Sequence, residues 1–174
     1  NLRLAADADL VRASNSNELG RMERLLAQSL DAGAWGFSTG LEYAPERACD
    51  EAEITALCRV LKGTGGFYAT HTRNREGEAE EAIAEPIRTA AAAEVPVQIS
   101  HISVVTRLVD DGRRALDSAL DQVAMAHRQG LDVSFDMHTR LFGTTNLSAA
   151  LPAWALEGDE GEIAARLRSG SMRK

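Results

Sequence analysis

Three of the four histidines in this 174-residue chain stand in one kind of place. His71 ends the run FYATH, His101 ends VPVQISH, and His138 follows just after Asp136, which ends LDVSFD. Each run is rich in β-branched or aromatic residues and reads as a strand. In parallel α/β folds the loops at the carboxyl ends of strands face one crevice, so residues placed there share a site. Neighbouring parallel strands lie about 4.8 Å apart, close enough for imidazoles on adjacent strand ends to meet at one ion. Neutral imidazole suits zinc, and a zinc ion with an open position brings the pKa of its bound water to about 7. A single histidine on a rim is ordinarily a hydrogen-bonded surface residue; its repetition on successive strands is what points to a metal.

The other reactive residues make weaker cases. Gly33, Gly36 and Gly40 fall before and within a strand, not between strand and helix, so they fit tight packing better than a phosphate loop. Ser38 and Thr39 lie near a strand end without a G-x-S-x-G elbow, which suits hydrogen bonding to backbone or substrate better than nucleophilic attack. Cys49 sits in a polar stretch and Cys58 on the apolar face of a helix, and neither is placed to reach the strand ends. Arg73 and Arg140 follow strand-end residues and have the forked geometry that clamps a carboxylate.

The elements that must position these residues are legible from periodicity. Residues 17–32 place Leu19, Met22, Leu26 and Leu30 on one helical stripe, with Asn15, Ser16 or Asn17 as cap and Gly33 as stop. AWGFSTG follows as a buried strand. Residues 50–62 put Ile54, Leu57, Cys58 and Leu61 on one face of a second helix. Residues 78–93 form an Ala-rich helix in which Pro86 is expected to cause a kink or displace the start. Residues 111–129 make a helix ending at Gly130. The strands, expected to be apolar on both faces, centre near Phe37, Ala69, Ile99 and Ser134, at the 30- to 35-residue spacing of βαβ units. The order predicts an α/β protein with a parallel sheet, either open and doubly wound or part of a (β/α)8 barrel. After Asp136 come a loop and two expected terminal helices, over LSAALPAWALEG and EGEIAARLR, so residues 137–174 read as a tail on a single domain.

Composition excludes several classes. Nineteen Lys and Arg against 26 Asp and Glu give a net charge of −7, which repels phosphate backbones and anionic lipid, so neither nucleic acid nor membrane is an expected partner. Apolar residues at 44% and charged residues at 26% are ordinary globular usage. No apolar run approaches the roughly 20 residues of a membrane span, and two cysteines make no disulfide framework. A cytoplasmic protein with reduced thiols is expected.

The stretches GFSTGLEYAP, ATHTRN and QISH, in that order and spacing, with the later LPAWALEG, resemble the N-acyl-D-amino-acid deacylases, or D-aminoacylases, of the metal-dependent amidohydrolase superfamily. The resemblance implies a partial (β/α)8 TIM-type barrel whose strands ending at Thr39, His71, His101 and Asp136 correspond to strands four to seven. It implies zinc as cofactor, bound by His71 and His101, and hydrolysis of the amide of N-acyl-D-amino acids, with Ser38, Tyr43, Arg73, His138 and Arg140 as substrate-binding candidates. The family's His-x-His pair on strand one, its early metal-binding cysteine and its strand-eight catalytic aspartate have no counterpart, so no catalytic residue is assigned. Ser103 stands where many members have a lysine, and Met137, His138, Thr139 and Arg140 replace an aromatic-proline motif. A barrel typically needs about 250 residues, and the chain starts with Asn, so a piece of a larger domain is expected, with sheet edges open to self-association. The competing readings are a non-catalytic α/β module that binds a small acid, an incomplete half-barrel that completes itself with another chain, and another amidohydrolase such as a dihydroorotase or hydantoinase relative. AWGFSTG lacks the strand-four lysine that the latter carry.

Overall fold

The computed structural model describes residues 2–73, 79–103, 112–139, 155 and 160–170. They form α1 (Leu2–Ala5), α2 (Ser16–Asp31), β1 (Gly36–Gly40), a 3-10 turn (Glu46–Ala48), α3 (Glu51–Arg59), β2 (Phe67–His71), α4 (Ala79–Ala93), β3 (Val97–Ile99), α5 (Gly112–Arg128), β4 (Val133–Phe135) and α6 (Glu160–Arg168). The four strands make one parallel sheet in sequence order. Helices α3, α4 and α5 connect consecutive strands, so residues 36–135 are successive βα units and the fold is a partial (β/α)8 barrel, as expected. The chain divides into two compact units, residues 1–139 and 140–174. Of the second, Ala155 and α6 are described; the Arg166 guanidinium donates to the Ala155 carbonyl. The other expected terminal helix falls outside the described residues, apart from Ala155.

The sheet register explains the two faces. Phe37, Tyr68, Val97 and Val133 pair across the four strands, and this row packs under the helices; Tyr68, Val97 and Val133 are buried. Phe37 stacks on Tyr68 with ring centroids 5.7 Å apart. The next row is Ser38, Ala69, Gln98 and Ser134, which pleating turns to the opposite face. Ser38 and Ser134 are exposed there, and the Ser134 hydroxyl donates to Gln98 Oε1. The expectation of strands apolar on both faces is therefore corrected: the row facing the helices is apolar, whereas the row Ser38, Ala69, Gln98 and Ser134 on the other face is small or polar. Trp35, read as part of a buried strand, is 85% exposed just before β1. Gly36 does follow the packing logic, since a Cβ there would lie 2.1 Å from the Phe67 carbonyl oxygen.

Helix ends follow their sequence signals. Asn15 caps α2, accepting from the amides of Asn17 and Glu18, and Glu18 reaches back to the Asn15 amide to complete a capping box. Asp50 caps α3 through the Glu53 amide. Gly33 and Gly130, just past α2 and α5, take φ of 102° and 92°, where a side chain is strained. Helix α4 runs unbroken through Pro86 from Ala79, so the proline does not move its start. The missing N–H denies the Ala82 carbonyl its usual helical donor, a loss set against burial of the ring in the core.

Glu18 also binds the Arg12 guanidinium at 2.9 Å. Arg12, and then the Asn15 amide, hold its carboxyl down at about 2. A carboxylate lowered in the folded state adds stability that is whole above its unfolded value, near about 4.3, and is lost as pH falls through 2. Glu18→Gln is expected to flatten the dependence of the urea midpoint on pH between about 5 and 2. An unchanged slope would remove Glu18 from the acid response.

Candidate metal centre

His71 is the last residue of β2 and His101 lies two residues past β3. Because the strands are parallel and in register, both imidazoles emerge at one end of the sheet. His71 Nδ1 and His101 Nε2 are 3.1 Å apart and their rings meet edge to face, with centroids 4.6 Å apart. His138 extends the series, stacked on His101 at 5.3 Å, and is exposed.

Three neighbours hold this pair. Glu42 Oε2 lies 2.7 Å from His71 Nε2, and Tyr43 packs on the His71 ring at a centroid distance of 4.9 Å. Asp136 acts through the backbone: Oδ1 accepts from the His101 amide at 2.6 Å and Oδ2 from Gln98 Nε2 at 2.9 Å. His101 has φ of 39°, a left-handed conformation costly for a residue with a Cβ. The Asp136 carboxylate, with the Ile102 amide bonded to the Asp136 carbonyl, holds that turn. Thus β4 fixes the backbone of the loop after β3.

The donor set fits a metal. Two nitrogens bound to tetrahedral zinc at 2.0–2.1 Å are separated by about 3.3 Å, close to the 3.1 Å seen between Nδ1 and Nε2. Among the described residues no group of three or more His, Cys, Asp or Glu is arranged to hold an ion, and the His71–His101 contact is a pair of nitrogen donors. The cysteines are not among them. Cys49, expected in a polar loop, is buried beside α3: its thiol donates to Glu53 and receives a bond from Arg3. Burial, and then Glu53, pushes it up to about 12; burial alone does the same to Cys58. Neither is a ready thiolate.

The other candidates separate. Arg73 Nε donates to both oxygens of Glu85 at 2.8 and 3.0 Å, and Nη2 donates to the Cys49 carbonyl at 2.8 Å. The guanidinium ties the loop before α3 to α4, in place of the expected open clamp. Ser38 lines a cavity of about 370 Å³ with Phe37, Met22, Leu26 and Glu53, which neither His71 nor His101 lines. Thr39 is buried, bonded to the Tyr68 and Thr70 hydroxyls. Arg140 lies outside the described residues. Glu42 is the site residue that sequence reasoning passed over, although it stands two positions past the end of β1 beside the tyrosine that was singled out.

No protein-family model matches the chain. The D-aminoacylase of Alcaligenes xylosoxydans xylosoxydans is 36% identical over 146 residues, 84% of this chain and 29% of that protein. A crystal structure of D-aminoacylase described as defining a novel subset of amidohydrolases is 34% identical and superposes with a TM-score of 0.74, over 80% of this chain and 29% of the other. An N-acyl-D-glutamate deacylase from Bordetella bronchiseptica, crystallised with zinc and a phosphonate mimic of the reaction's tetrahedral intermediate, is 30% identical with a TM-score of 0.73, over 80% of this chain and 29% of the other. The chain therefore spans less than a third of these relatives. In sequence, in strand order and in the placement of its helices, it belongs to the N-acyl-D-amino-acid deacylase (D-aminoacylase) family of amidohydrolases.

Proposed function

We propose that this chain supplies two of the metal-binding side chains, His71 and His101, of a zinc-dependent hydrolase that deacylates N-acyl-D-amino acids. The observation that carries the proposal is the 3.1 Å approach of two imidazole nitrogens at adjacent strand ends, within a chain of this family. Zinc held there supplies a Lewis acid for the amide carbonyl and lowers the pKa of water to about 7. The chain's own residues orient. Asp136 fixes the loop that carries His101, and Tyr43 fills the space against the His71 ring. Tyr43 and the exposed His138, flanking the pair, are our candidates for contact with the acyl-amino acid. Arg140 is a further candidate for its carboxylate, whereas the partners of Arg73 give it a structural task.

The stereochemical part of the proposal has a direct assay. The intact protein, loaded with zinc, is expected to release amino acid from N-acetyl-D-amino acids, with N-acetyl-L-amino acids left at background. Equal turnover of both series, or a preference for L, would sink the substrate assignment. No helix among the described residues is long and apolar enough to cross a membrane.

A further inference from the structure

We propose that Glu42 is a positioning residue for the metal, selecting the His71 tautomer that presents Nδ1 to the ion. The inference rests on the metal assignment above and adds a residue to it. Its basis is local geometry. The Leu41 amide donates to the His71 carbonyl at 3.0 Å, which extends the β1–β2 ladder one residue past the end of β1. Leu41 is 1% exposed, so its side chain anchors this segment in the core. The chain then turns, with the Tyr43 amide on the Gly40 carbonyl and the Arg47 amide on the Tyr43 carbonyl. The Glu46 carboxylate accepts from the Gly40 amide, closing the turn on itself. Glu42 and Tyr43 are thereby delivered to the same imidazole, one at its Nε2 edge and one against its ring.

The chemistry follows from what a carboxylate can do. An ionised carboxylate only accepts hydrogen bonds, so the 2.7 Å contact requires the proton on His71 Nε2. In neutral imidazole the other nitrogen then carries the lone pair, and that nitrogen is the one facing His101 Nε2. Such carboxylate partners of ligating histidines ordinarily contribute about 10- to 100-fold in metal affinity. Glu42 and His71 are both partly buried, with side chains 23% and 15% exposed, which limits competition from water for the bond.

The test uses the intact protein, labelled with 15N in histidine, and Zn²⁺ alone as the probe. Metal-free protein is expected to show His71 as the Nε2–H tautomer in long-range 1H–15N spectra, and Glu42→Leu to convert it to a mixture. The same change is expected to weaken Zn²⁺ about 10- to 100-fold against a competing chelator, with Glu42→Gln, whose amide oxygen still accepts, losing less. An unchanged tautomer, or zinc affinity within twofold of the parent in Glu42→Leu, overturns the assignment. His71→Ala separates the two layers: if zinc stays bound without His71, the metal assignment itself falls. If His71→Ala strips the zinc while Glu42→Leu does not weaken it, only the role of Glu42 falls.

Discussion

Changing His71 and His101 together to Ala is expected to remove zinc from the intact protein and to lower deacylation on the order of 10³-fold. The size follows from what the ion supplies, several kcal/mol of transition-state stabilisation, with each 1.4 kcal/mol worth tenfold in rate. Metal content by elemental analysis should fall with activity, and restoring Zn²⁺ should not restore turnover. The fold should survive: His71 and His101 stand at the rim, past the residues of the buried row of the sheet, and neither belongs to the hydrophobic core. Stoichiometric zinc or near-parent turnover in the double variant would show that these imidazoles are not the ligands.

The second large effect concerns stability. Arg3 and Glu53 form an ion pair at 2.6 Å with each side chain 2% exposed. Glu53 Oε2 also accepts from the Ser14 amide at 2.8 Å, and Arg3 Nη2 donates to the carbonyls of Asp9 and Arg12. The pair therefore holds the whole segment between α1 and α2 against α3. Removing one partner leaves the other charge buried and uncompensated, which costs about 3–5 kcal/mol. Arg3→Met and Glu53→Leu are each expected to lower the urea midpoint accordingly. The double variant should recover the part of the loss that comes from an unpaired buried charge, though not the part that comes from the bonds to Asp9, Arg12 and Ser14. Single-variant losses below about 1 kcal/mol, the range of exposed pairs, would mean that the site is wetter than the structure shows.

Much of the fold can be read along the chain. The four expected strand centres, Phe37, Ala69, Ile99 and Ser134, all lie in observed strands, because apolar clustering between glycine and proline breaks is local information. The cap at Asn15, one of three candidates, and the stops at Gly33 and Gly130 are equally local. Arg3 was illegible, since a basic residue in an acidic N-terminal stretch reads as solvated until α3 brings Glu53, fifty positions later, against it. The burial of Cys49 escaped for a related reason: Arg3, which covers its thiol, lies 46 positions away along the chain.

The sequence by itself determined that His71, His101 and Asp136 fall at strand ends and that the chain resembles zinc-dependent deacylases. It determined this because strand periodicity and short motifs depend only on neighbours along the chain. The tertiary structure decided what those residues do to one another. Parallel register set Nδ1 against Nε2, pleating turned Ser38 and Gln98 to the open face, and Asp136 became the brace of a left-handed turn at His101. It also committed Arg73 to Glu85 and brought Glu42 to the far edge of His71. Such choices depend on distances between residues far apart in sequence, fixed by how helices pack on the sheet, and no spacing along the chain encodes them.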